Sequence, residues 1–195
     1  MLDNNKIQAR LLKNDEKRHG VSLVYLPTAE VLSRIHKWLD ELDEICGNIF
    51  RWYPVFHLSL VRCKSVMQPF VIKDEDLLKC DNVRKEKTSV EKAVIGNDGI
   101  LRLCFSDIKL EKIEDVHSFY TSNSLKYDIV KEPWMSLGLI DNERENADEV
   151  TVVLETRFAN GLFPSFDMVI DELSAVCYSD ILLKKYDLVK RIYLK

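Results

Sequence analysis

His57 and Ser59 stand two residues apart in Phe56-His57-Leu58-Ser59-Leu60. Trp134 and Ser136 repeat that spacing 77 residues later, in Pro133-Trp134-Met135-Ser136-Leu137. In an extended strand, successive side chains leave by opposite faces. His57 and Ser59 therefore share one face, with Phe56, Leu58 and Leu60 on the other, and Trp134 and Ser136 share a face backed by Met135 and Leu137. Two such strands meeting at a groove suit cleavage of an RNA phosphodiester. Histidine, with an ordinary pKa of ~6.5, takes or gives a proton near neutral pH. The serine hydroxyls can donate to non-bridging phosphate oxygens and stabilise developing charge. That chemistry requires no metal and implies no cofactor.

A complete acid–base pair would need a second imidazole where this chain has Trp134. An indole N–H donates but does not titrate near neutral pH, so it is neither general acid nor general base. Its ring face suits stacking on a nucleobase, worth ~1–3 kcal/mol per base; the alternative is core packing in the space an imidazole would leave. Taken alone, His57 reads as a partly buried strand histidine, and the echo at 134–136 is what raises it to a candidate. His19, His36 and His117 lie off both motif stretches, so none of them stands in for the missing group.

Something must hold these strands. Val21–Tyr25 has strand character and closes at Pro27. Thr28 can cap a following helix and Gly47 can end it, with Val31, Leu32, Ile35, Trp38, Leu39, Leu42, Ile45 and Cys46 as its apolar stripe. The first motif strand spans residues 55–62. Within 63–92 the pattern allows a short helix near 74–79 and a charged connection. Val90–Ile95 and Ile100–Phe105 flank Asn97-Asp98-Gly99, a hairpin signal. A helix over 110–121 precedes the second motif strand, 134–140. The segment 150–158 is ambiguous, but Val150, Val153, Leu154 and Phe158 favour a helix ending at Gly161. Closing strands are expected at 168–176 and 188–194. This order predicts a single α+β domain over 1–195, with two pseudo-symmetric lobes, antiparallel sheets lining a central groove and helices outside.

Composition is that of an ordinary globular protein, at 46% hydrophobic and 31% charged residues. No apolar run approaches the ~18 residues of a membrane span, and the start has no signal-peptide pattern. Five cysteines form no C-x-x-C pair, which suits free thiols in a reducing compartment. Nuclear or cytoplasmic residence is expected, with no membrane partner. Net charge is −4, so nothing global advertises nucleic-acid binding. Basic residues nonetheless cluster at Lys79, Arg84, Lys85, Lys87 and Lys92, and again at Lys184, Lys185, Lys190, Arg191 and Lys195. Each cluster is either a solvated face or a local phosphate-attracting patch.

The chain resembles the 2H phosphoesterase superfamily, and within it the U6 small nuclear RNA phosphodiesterase branch. The resemblance rests on Val21-Ser22-Leu23-Val24-Tyr25-Leu26-Pro27 and its helix, on Phe56-His57-Leu58-Ser59-Leu60, on Gly99–Asp107 followed by the 110–121 region, on Tyr127 leading into Pro133–Leu137, and on Val176–Tyr178 through Arg191–Leu194. It implies His57 as a catalytic histidine, Ser59 and Ser136 as phosphate-binding hydroxyls, and Tyr127 beside Trp134 as an aromatic near the bound base. It also implies metal-independent removal of 3′-terminal uridines or adenosines from RNA, leaving a 2′,3′-cyclic or 3′-phosphate. Three functions stay open: an RNA 3′-end phosphodiesterase slowed by loss of the second histidine, a silent relative that binds RNA 3′ ends, and a protein-interaction scaffold.

Overall fold

The structure, a computed structural model, describes residues 3, 6, 17–63, 84–106, 108, 127–130, 132–141, 143–180 and 186–194. Within the strands, only the backbone is described at 17–19, 63, 127, 128, 179, 180, 189 and 190. The expected helices at 74–79 and 110–121 lie outside the described residues.

Strand β1 runs Lys17–Tyr25 and helix α1 Ala29–Cys46. Thr28 caps α1 by accepting the Val31 N–H at 3.4 Å. Gly47 ends it at φ 65, a left-handed conformation that costs glycine nothing, and its N–H reaches the Asp43 carbonyl. The predicted stripe is buried except at Leu32, which is partly buried, and Ile45, which is exposed. The chain continues through β2 (Phe50–Trp52), β3 (Leu58–Cys63), β4 (Glu86–Ile95), β5 (Ile100–Phe105), β6 (Tyr127–Ile129), β7 (Trp134–Ile140), α2 (Ala147–Ala159), β8 (Asp167–Ile170), β9 (Glu172–Asp180) and β10 (Tyr186–Tyr193). All the strand pairs are antiparallel, in one sheet ordered β10-β9-β1-β3-β7-β5-β4-β8, with β2 on β7 and β6 on β3. The two motif strands are thus neighbours at its centre. The described residues include no helix long and apolar enough to cross a membrane.

Several expected boundaries are corrected. The first motif strand starts at Leu58 rather than 55, because Pro54 lacks an N–H and interrupts the run along β7 that β2 begins. The hairpin strand begins at Glu86, since the charged segment read as a connection pairs with β8. The single strand expected over 168–176 is two strands with different partners: Met168 and Ile170 are buried in β8, Leu173 and Ala175 in β9. That alternation slips by one residue at Asp171, where the chain leaves β4 for the opposite half of the sheet. Helix α2 is confirmed, but its buried face is Ala147, Thr151, Leu154 and Phe158. Val153 is exposed, and Thr151 is accommodated by donating to the Ala147 carbonyl at 2.7 Å.

Both helices cover one face of the sheet. Trp38 of α1 meets Phe158 of α2 with ring centroids 5.8 Å apart, and both belong to the core that includes Leu58, Leu60, Met135 and Leu137. Trp52 is wedged between sheet and α1: its Nε1–H donates to Asp43 Oδ2 at 2.9 Å and its ring stacks on Phe50. It fits because its partner on β7 is Gly138; a Cβ there would lie 2.6 Å from Trp52 Cε3 and 3.1 Å from the Arg51 carbonyl. Gly138→Ala is therefore expected to destabilise the fold by about 1–3 kcal/mol through overpacking, read as a lowered urea midpoint with the m-value unchanged. An unaltered midpoint would contradict this packing.

Candidate active site

Phe56, Leu58 and Leu60 are buried on the helix side, and Phe56 packs its ring 5.3 Å from that of His36. His57 and Ser59, both half-buried, turn to the opposite face, which carries no helix among the described residues. His57 Nδ1 lies 3.3 Å from the Val55 carbonyl oxygen. A carbonyl only accepts, so Nδ1 carries the proton and Nε2 keeps its lone pair. Burial pushes the His57 pKa below its ordinary value; the Val55 carbonyl opposes this and the Arg62 charge adds to it. The imidazole is thus held neutral at physiological pH, the form a general base requires.

The two motifs join at one backbone pair, Leu58↔Met135. Met135 also lies 77 residues after Leu58, the same offset as the sequence echo. A local two-fold axis therefore passes through this pair, relating His57 to Trp134 and Ser59 to Ser136. On either side of this pair the ladder passes to other partners: Leu60 accepts from the Val130 N–H and Tyr53 donates to the Leu137 carbonyl. His57, Ser59, Trp134 and Ser136 are all half-buried on the same face.

Two arginines, neither singled out in the sequence, complete the face. Arg62 Cζ lies 5.4 Å and Arg102 Cζ 5.8 Å from the Trp134 ring centroid. Simple alternation would send Arg62 to the core with Leu58 and Leu60. The β1–β3 register instead runs Val24↔Ser59 and then Leu23↔Val61, leaving Leu60 as an extra residue. This bulge turns Val61 inward, fully buried, and Arg62 outward onto the Ser59 side. Arg102 reaches the same face as the β5 partner of Ser136. Its guanidinium is bound to Asp98 at 2.6 and 2.9 Å, whereas Arg62 has no carboxylate partner among the described residues. Among the described residues, the arginine of this face that no carboxylate neutralises is therefore Arg62, whose charge is felt at His57. The signal for it was the doublet Leu60-Val61, two consecutive buried residues where one was due.

Cys104 pairs with Trp134 across β5–β7. Burial raises its thiol pKa despite opposing effects of Lys92 and Arg102, which makes it a poor nucleophile. Tyr127 is placed by its backbone in β6, opposite Cys63 at the far end of β3. His36 is on α1, behind the sheet, and His117 lies outside the described residues. No group of three or more metal-ligating side chains converges among the described residues.

The depressed His57 pKa has a signed consequence. Between the folded value and the unfolded value of about 6.5, the unfolded chain binds the proton that the folded chain refuses. The stability contributed by neutral His57 is complete above the unfolded pKa and is lost as pH falls through the folded pKa. The imidazole resonances of His57 should titrate with a midpoint below that of a free histidine, and His57→Gln should lose less stability than the parent between neutral pH and about pH 5. A midpoint at or above the free value would contradict the buried, neutral assignment.

No protein-family model matches the sequence, and no curated protein sequence matches it. Among solved structures, the chain is similar to Escherichia coli LigT complexed with phosphate, at a TM-score of 0.55 and 13% identity, over 92% of this chain and 99% of the LigT chain. LigT is a member of the 2H phosphoesterase superfamily. At that identity the likeness is one of fold: this chain has an antiparallel, sheet-rich α+β fold of the 2H phosphoesterase type.

Proposed function

We propose that this protein acts on RNA 3′ ends, gripping the terminal phosphodiester on the face shared by β3 and β7 and cleaving it slowly by metal-independent, single-histidine chemistry. The observation that carries the proposal is the local two-fold arrangement of His57, Ser59, Trp134 and Ser136 about Leu58↔Met135, with the Arg62 guanidinium against the Trp134 ring. The phosphate complex of LigT supports a phosphate-holding role for the same fold. In this scheme His57 Nε2 takes the proton of the ribose 2′-hydroxyl, whose oxygen attacks the adjacent phosphorus. The bond to the 5′-oxygen of the last nucleoside breaks, and a 2′,3′-cyclic phosphate remains on the shortened RNA. Ser59 and Ser136 donate to the non-bridging oxygens, and Arg62 offsets the charge that accumulates there. The leaving oxygen takes its proton from water, because Trp134 has none to give in this pH range. One positioned proton transfer is worth ~10²–10⁴-fold, so the rate should be depressed by about that factor.

A second reading is favoured by the arginines. With Arg62 and Arg102 both against its ring, Trp134 is held as part of a binding surface, which suits a protein that retains RNA 3′ ends without processing them.

An oligouridine-tailed RNA incubated with the protein in EDTA separates the two. The first reading predicts a slow ladder of shortened products that disappears in His57→Ala and speeds up about a hundredfold or more in Trp134→His. Binding without shortening, weakened by Trp134→Ala and by added salt, would establish the second. Absence of both binding and cleavage would overturn the RNA assignment.

A further inference from the structure

Strand β10 is an edge of the sheet. Its pairing with β9 begins Tyr186↔Tyr178 and Leu188↔Val176, then shifts by one residue so that Arg191 pairs with Ser174 and Tyr193 with Glu172. Strict alternation from Tyr186 and Leu188 would continue to Lys190 and Ile192. The extra residue at this bulge instead carries Arg191 and Tyr193 onto the same side as Tyr186 and Leu188, and leaves Ile192 buried against Leu173. That side is the active-site face. Ser174 pairs with Val24, and Val24 with Ser59, so the four β10 side chains look the same way as the candidate site. Three of them are large apolar groups left in the open, with Tyr186 37%, Leu188 41% and Tyr193 69% exposed. Arg191 interrupts the row; its Nε is 3.7 Å from Glu172, yet its side chain remains 55% exposed. In sequence the segment 184–195 carries five basic residues against one acidic residue, Asp187, and of these five Arg191 is the one the register places on this face.

We infer that the β10 edge is a second binding site, a stacking track for the bases of single-stranded RNA upstream of the 3′ end held at His57. Exposed tyrosine rings beside an arginine suit sequence-tolerant single-strand binding: ring faces take bases and the guanidinium takes the backbone. The row shares this face with the candidate site, and the buried residues Val24, Ser174 and Val176 lie between them. Three strand spacings, about 14 Å, separate β3 from β10, so a dinucleotide seated at His57 stops short of the track and an oligonucleotide reaches it. The site deepens the proposed function and rests on it for the placement of the 3′ end.

Fluorescence anisotropy with a 5′-labelled uridine dinucleotide and an octanucleotide tests it. The octanucleotide should bind the parent protein about tenfold or more tightly than the dinucleotide. Tyr186→Ala/Tyr193→Ala, which removes two exposed rings and opens no core, should abolish that gain and leave dinucleotide binding unchanged. Tyr186→Phe/Tyr193→Phe should retain it, since stacking needs the ring and not the hydroxyl. Equal binding of the octanucleotide by the alanine variant, or no advantage of length in the parent, would overturn the track while leaving the central site standing. Octanucleotide binding that survives His57→Ala/Ser59→Ala and disappears in the tyrosine variant would support the track and contradict the central site.

Discussion

The arrangement depends on one backbone pairing, Leu58 with Met135. Both side chains are fully buried on the helix side, and alternation then leaves the residues before and after each of them no choice but the other face. Burying two large apolar groups side by side is worth several kcal/mol by the scale of large-to-alanine losses, about 2–5 kcal/mol each. A slip of one residue on either strand would forfeit that burial and turn the imidazole, indole and both hydroxyls into the core. The same contact that holds the centre of the sheet therefore fixes the orientation of the site.

Around that centre, the chemistry of the open face is adjusted by single extra residues. A bulge at Leu60 brings Arg62 out beside His57, and another in β10 brings out Arg191 and Tyr193. In each case the hydrophobic half of the strand keeps its burial, because Val61 and Ile192 take the inward positions. A bulge costs one interrupted rung of the ladder and re-aims everything after it. Arg62 then acts on two neighbours at once: its charge helps keep His57 neutral, and its guanidinium lies against the Trp134 ring.

Much of this was legible in the sequence, for local reasons. Thr28 and Gly47 bounded α1 because caps are short-range chemistry, and Asn97-Asp98-Gly99 marked the hairpin for the same reason. The shared face of His57 with Ser59 and of Trp134 with Ser136 followed from strand periodicity alone. What escaped depended on partners distant in the chain. Glu86 and Lys87 read as a connection because nothing local shows that β8 pairs there. Arg62 was not singled out because a bulge is defined by the neighbouring strand, although the apolar doublet Leu60-Val61 marks its place. The meeting of the two motif strands at Leu58 and Met135 needed the register, which only the folded sheet supplies.

The central claim is that His57 and Trp134 belong to one phosphate-holding face. Its most direct measurement is an NMR titration with 3′-uridine monophosphate, following the imidazole C–H signals of His57 and the indole N–H signal of Trp134 together. The account predicts that both move, with a single dissociation constant that weakens as salt is added. Movement of one signal without the other, or two different constants, would contradict it.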